Sequence, residues 1–290
     1  STQQRGSGGA RRVAAAAAPG QAITRQRPET FVDPHHRQHS HPHHWHGHHA
    51  GEGHAHIAGH HHAAPGHPRS PLKLNVLAFG DSLTEGLTAR GFHPYSSHLE
   101  SMLSSSLSTV GADAQVTQRG VSGEQVLKSM HGRLGQELHS AESAGVRYNW
   151  VLLLAGINDL GKGSEADRVF CDGLLQMYTA CQQHGARLLI MTCMETRGTE
   201  MAREGHYGFP LDYEQGRQKL NGHIRTYAEA AEDGVVLLDL DTLMPFVDIP
   251  EEQREQRFDD GVHLSPQGYA EMAEHIHNAL TAHMPIPTRS

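Results

Sequence analysis

Trp150-Val151-Leu152-Leu153-Leu154-Ala155 is an apolar run without a polar break, and Gly156-Ile157-Asn158-Asp159 follows it directly. A strand that meets solvent on one face alternates apolar and polar residues, whereas a strand covered on both faces does not. WVLLLA therefore reads as a central parallel strand. Parallel neighbours must be joined by crossovers of a dozen or more residues, usually helices. The flanking sequence supplies them. Upstream, residues 124–140 carry Val126, Met130, Leu134 and Leu138 on one helical face. Downstream, a helix is expected over 165–183, then a second buried strand over 187–193 (RLLIMTC).

Working outward, the alternation continues. Residues 72–79 (LKLNVLAF) and 114–117 read as strands, with a helix over 94–107 between them that repeats Leu99, Leu103 and Leu107. A helix over 213–231 precedes a fifth strand over 235–240. Ser265-Pro266 is a helix start, with Ser as N-cap and Pro at the first helical position. Tyr269, Met272, Ile276 and Leu280 then form an apolar stripe. The expected fold is α/β: a doubly wound, flavodoxin-like parallel sheet of five strands with helices on both faces. Ligands in such folds sit at the carboxyl ends of the strands.

Four segments lie at those ends. They are Gly80-Asp81-Ser82-Leu83-Thr84-Glu85-Gly86, Arg119-Gly120-Val121-Ser122-Gly123, Gly156-Ile157-Asn158-Asp159 and Asp260-Gly261-Val262-His263. Together they hold the parts of an acyl-transfer site. A serine hydroxyl needs a base to become nucleophilic, and His263 is the candidate for Ser82. Asp260, three residues away, can hold the other imidazole nitrogen. A tetrahedral oxyanion needs fixed donors, for which the Ser82 N–H, the Gly123 N–H and the Asn158 amide are candidates. Singly, each of these residues is more often a turn or capping residue.

In this order the segments resemble the SGNH (GDSL-type) hydrolase family, from about Leu74 to Tyr269, with GDSLTEG and DGVHLSPQGY the most specific parts. The resemblance implies a serine esterase with Ser82 as nucleophile, His263 as base and Asp260 as its orienting partner. It implies Asn158 and Gly123 as oxyanion donors. Short acyl esters are the default substrate, with thioesters, lysophospholipids and acetylated carbohydrates open, and the mechanism requires no metal or organic cofactor. The second segment departs from the family pattern, since Gln118 or Arg119 stands where an Asn is common and Gly120 competes with Gly123. Gly123 is preferred because it heads the following helix. Asp81, Gly80 and Asp159 read as turn-shaping residues. Two stretches, Gly91-Phe92-His93-Pro94-Tyr95 and His206-Tyr207-Gly208-Phe209-Pro210, are candidate rims of the substrate pocket.

Competing chemistries fit less well. No G-x-S-x-G elbow of an α/β-hydrolase occurs in residues 71–290. Gly156–Lys162 (GINDLGK) follows a strand and matches GxxxxGK, but Gly163 replaces the Ser or Thr that would bind magnesium in a phosphate loop. A catalytically inactive binding module of the same fold is the main alternative.

Composition divides the 290 residues near position 70. Of 26 histidines, 15 fall between His35 and His67. Residues 1–70 have Val13, Ile23, Phe31, Val32, Trp45 and Ile57 as their large apolar residues, too few for a core. This segment is read as a disordered Ala/Arg- and His-rich tail and linker. Its clustered imidazoles invite weak divalent metal binding, which gives a second alternative function, a metal-binding protein acting through the tail. Pro42, Gly47, Gly51, Gly53 and Gly59 argue against fixed ligand geometry. Residues 1–30 share the composition of organelle transit peptides, so organellar import competes with a cytoplasmic default. The tail carries a net charge of +4, so the −8 of the whole chain leaves −12 on residues 71–290. An acidic domain is a poor partner for nucleic acid. No run approaches the ~18 apolar residues of a membrane span. Cys171, Cys181 and Cys193 form no C-x-x-C pair and are expected to be buried thiols.

Overall fold

The computed structural model describes residues 72–205, 212–231 and 233–284. The histidine-rich segment and the candidate rim 206–210 lie outside the described residues. Five parallel strands build the sheet: β1 (Leu72–Gly80), β2 (Ala112–Gly120), β3 (Trp150–Leu154), β4 (Arg187–Met191) and β5 (Val235–Leu238). Their spatial order is β2-β1-β3-β4-β5, the flavodoxin-like arrangement. The order reverses between β1 and β3, and crevices for ligands open at such switch points.

Side chains of β1 go alternately to the two faces, as strand geometry requires. Val76 and Ala78 pack with Leu99 and Leu103 of the helix Tyr95–Ser108 and with Tyr269, Met272, Ile276 and Leu280 of the helix Pro266–His283. Leu77 and Phe79 pack on the other face with Met130, Leu134, Met177 and Leu220. All of these side chains are buried. At roughly 1.5–3 kcal/mol for each fully buried large apolar side chain, these two layers supply the main stabilisation.

The structure departs from the sequence expectation in local detail. The 124–140 helix begins as a π-helical turn, Val126–Met130, before the α-helix His131–Ser143. Asp159 caps this segment, its carboxylate taking the N–H groups of Val126 and Leu127 at 2.8 and 3.0 Å. A second π segment, Val169–Leu174, interrupts the 165–183 helix where Gly173 meets Val126. Short helices at Ser82–Glu85, Ile157–Gly161, Arg197–Arg203, Leu240–Leu243 and Glu251–Arg257 have too few turns to leave a periodic signal. Cys181 and Cys193 are buried, and burial pushes both thiols up to about 12. Cys171 is exposed, contrary to expectation. Among the described residues no helix is long and apolar enough to cross a membrane.

Candidate active site

Ser82 stands at the first position of the Ser82–Glu85 helix, directly after β1. Asp81 caps that helix by accepting the Leu83 N–H at 3.1 Å. The helix lies so close to the end of β2 that a Cβ on Gly120 would fall 2.1 Å from the Glu85 nitrogen. Gly120 is thus a packing requirement of the helix that carries Ser82. Gly123, with φ of 74°, lines the cavity beside Ser82 instead.

The imidazole comes from the opposite end of the chain. Phe258 and Leu264 form an antiparallel bridge, and the Asp259 N–H donates to the His263 carbonyl at 2.8 Å, closing a tight loop over 259–263. Ser265 ends the loop by accepting the Gly268 N–H with its hydroxyl at 3.1 Å. The loop is tied to its surroundings twice. Arg197 N–H donates to the Gly261 carbonyl at 2.6 Å, and Asp259 accepts the Ala89 N–H. The segment before Arg197 is itself fixed. Asn221 bonds both the N–H and the carbonyl of Cys193, at 2.8 and 2.9 Å, and the buried Arg217 donates to the same carbonyl at 3.0 Å.

These supports bring Ser82, His263 and Asp260 into line. His263 Nε2 lies 2.9 Å from Ser82 Oγ, and His263 Nδ1 lies 2.7 Å from Asp260 Oδ2. The other oxygen, Asp260 Oδ1, accepts the backbone N–H groups of Val262 and His263 at 3.0 and 2.8 Å. Partial burial works to raise the Asp260 carboxyl. The hydrogen bonds from His263 and Val262 outweigh it and hold the group below the usual carboxylate range. An ionised Asp260 accepts a hydrogen bond from the Nδ1–H, which keeps the proton on Nδ1 and leaves Nε2 with its lone pair toward Ser82.

The donors converge on the same place. Asn158, in the Ile157–Gly161 helix after β3, gives one amide hydrogen to the Glu124 carbonyl at 3.1 Å and has a second to offer. Neither the Ser82 N–H nor the Gly123 N–H is used by an acceptor among the described residues. Ser82, Gly123, Asn158 and His263 line one cavity of about 300 Å³, with Leu87, Ile157 and Val262 as its apolar wall. Of the site residues singled out from the sequence, Asp260 is the one that does not line this cavity; it sits behind His263, bonded to Nδ1. The rim stretch Gly91–Tyr95 does not line it either. Phe92 and Pro94 border a separate cavity, and Tyr95 is fully buried. Sequence reading missed Leu87, Lys162, Thr196 and Tyr213 as lining residues. Only Lys162 left a trace in the sequence, as the last residue of GINDLGK.

Asp81 and Asp159 shape the backbone, as expected. Asp81 is fully buried, next to Ser82 in the chain. Desolvation raises its carboxyl to about 7, against the lowering effects of the Leu83 N–H and of His263.

Solved structures share this architecture. A lipase/acylhydrolase from Enterococcus faecalis is 17% identical, with a TM-score of 0.54 over 75% of this chain and 100% of that one. A family 3 carbohydrate esterase from Clostridium thermocellum is 18% identical, with a TM-score of 0.52 over 72% and 96%. Another family 3 carbohydrate esterase, from Talaromyces cellulolyticus, is 16% identical, with a TM-score of 0.53 over 72% and 97%. At such identities the likeness is one of fold. Comparison with curated protein sequences gives no match. The family model for GDSL-like lipases and acylhydrolases matches residues 78–271, from within β1 to the helix that follows His263, and the chain belongs to that family.

Proposed function

We propose that this protein is a serine esterase that hydrolyses carboxylic esters through an acyl-enzyme at Ser82. The observation that carries this reading is the continuous contact from Asp260 through His263 to Ser82, at 2.7 and 2.9 Å. His263 Nε2 takes the Ser82 proton as Oγ attacks the ester carbonyl. The tetrahedral oxyanion forms against the Ser82 and Gly123 N–H groups and the Asn158 amide. His263 then returns the proton to the departing alcohol, and water, activated by the same base, releases the acid. Each step uses side chains and backbone of this chain alone. A cavity of about 300 Å³ suits short acyl esters.

The catalytic unit in this reading is residues 71–290, supported by a family match that begins at residue 78. A chain starting at Pro71 is expected to keep the kcat/KM of the full chain, and loss of hydrolysis on truncation would place the tail in the catalytic unit.

A fluorophosphonate probe tests the chemistry directly. It should label the full chain at Ser82, and Ser82→Ala should neither label nor turn over a 4-nitrophenyl short-chain ester above background. Turnover undiminished in Ser82→Ala would end the esterase reading. A folded wild type that fails to label would favour an inactive binding module.

A further inference from the structure

The GINDLGK stretch has more to it than its amide. Asn158 and Lys162 are four residues apart at the end of one helical turn, and residues so spaced share a face. The backbone bears this out: the Lys162 N–H closes the turn by donating to the Asn158 and Asp159 carbonyls, at 3.2 and 3.1 Å. Both residues line the cavity that holds Ser82. Among the residues lining it, Lys162 is the one with a permanent cationic head.

Acids near the site are already engaged elsewhere. Glu85 is held by Ser122, Asp159 by the N–H groups of Val126 and Leu127, and Asp260 by His263. Lys162 has no acidic partner and no side-chain hydrogen bond among the described residues, so its charge does nothing for the fold there. The setting sharpens the point. Residues 71–290 carry a net −12, a field that repels anions in general. A lone ammonium at the reaction cavity of such a domain reverses that preference locally.

We propose that Lys162 selects esters bearing an anionic group, such as a carboxylate, a few bonds from the scissile carbonyl. This rests on the esterase reading above and names the substrate class of the same site. The ammonium recognises the anion while the Asn158 amide, one turn away, meets the developing oxyanion. The two negative charges are thus received by separate donors.

The test uses two matched pairs of esters with the full chain. On the acyl side the pair is 4-nitrophenyl hydrogen glutarate and its uncharged methyl ester. On the alcohol side it is 4-acetoxybenzoate and methyl 4-acetoxybenzoate. The quantity read is the ratio of kcat/KM for the anionic ester to that for its neutral partner, compared between wild type, Lys162→Met and Lys162→Arg. Intrinsic reactivity differences cancel in that comparison. The ratio should fall about fivefold in Lys162→Met in at least one pair, the size of a charge pair in a largely aqueous setting. It should be retained in Lys162→Arg and should shrink as salt is added. The pair that responds tells which side of the ester carries the anion. Ratios equal in wild type and Lys162→Met for both pairs would overturn the proposal while leaving the esterase reading in place. A wild type that hydrolyses none of the four esters would overturn both.

Discussion

Glu85 holds Ser122 twice, its Oε2 accepting the Ser122 backbone N–H at 2.8 Å and also the Ser122 hydroxyl. The contact joins the turn that carries Ser82 to the turn that carries Gly123. In the proposed mechanism one carboxylate thereby helps set the distance between two of the three oxyanion donors. Glu85→Ala should lower kcat roughly 10–100-fold with little change in KM, because small displacements of a positioned group cost that much. Glu85→Gln, which can still accept from Ser122, should recover most of the loss. A Glu85→Ala variant with wild-type kcat would mean that the Gly123 turn holds its place unaided.

Asn158 is expected to act on the transition state. Asn158→Ala removes the amide that faces the cavity and leaves the Glu124 carbonyl without that donor. Steady-state kinetics should show kcat reduced by roughly 10²–10³ and KM near its original value. A change confined to KM would identify Asn158 as a ground-state contact.

Asp260 fixes which imidazole nitrogen carries the proton. Asn at 260 can still accept the Val262 and His263 N–H groups, so the loop should persist. Its amide would face Nδ1 as a donor and favour the wrong tautomer. Asp260→Asn should reduce kcat/KM by roughly 10³–10⁴ with an unchanged thermal midpoint. A loss smaller than tenfold would show that His263 is oriented without this carboxylate.

Asp81 makes a prediction about stability. Burial pushes its carboxyl up from the ordinary 3.8 to about 7 in the folded chain. Between those values the folded state keeps a proton that the unfolded state has released. Stability therefore declines as pH rises through that window and levels off above it. Asp81→Asn keeps the oxygen that accepts from Leu83 and cannot ionise. Relative to wild type it should gain about 3 kcal/mol of stability from pH 5 to pH 8, since the roughly two pH units below 7 contribute about 1.36 kcal/mol each. Urea unfolding of both proteins at the two pH values measures this difference. A difference that is constant with pH would show that Asp81 is not held protonated by the fold.

The layers of the fold, and the candidate residues of the site, were legible from local pattern alone. Buried parallel strands must be apolar throughout, so WVLLLA and RLLIMTC were legible as central strands without any partner being known. Helices packed on one face repeat their apolar residues every turn, so 94–107 and 213–231 were legible within a residue or two. Ser82, Asn158 and the Asp260/His263 pair were legible because each follows a strand or precedes a helix cap within a few residues. Tertiary structure decided what depends on distant partners. The meeting of Ser82 with His263 was one such feature, since the two lie 181 residues apart. Assigning Gly120 to packing and Gly123 to the cavity was another, because it depends on how closely the Ser82–Glu85 helix approaches β2. The cap on Val126 comes from the Asp159 carboxylate, 33 residues away, and the Glu85 bond to Ser122 spans 37. Contacts across such separations form only when the chain is closed upon itself. No local preference encodes them.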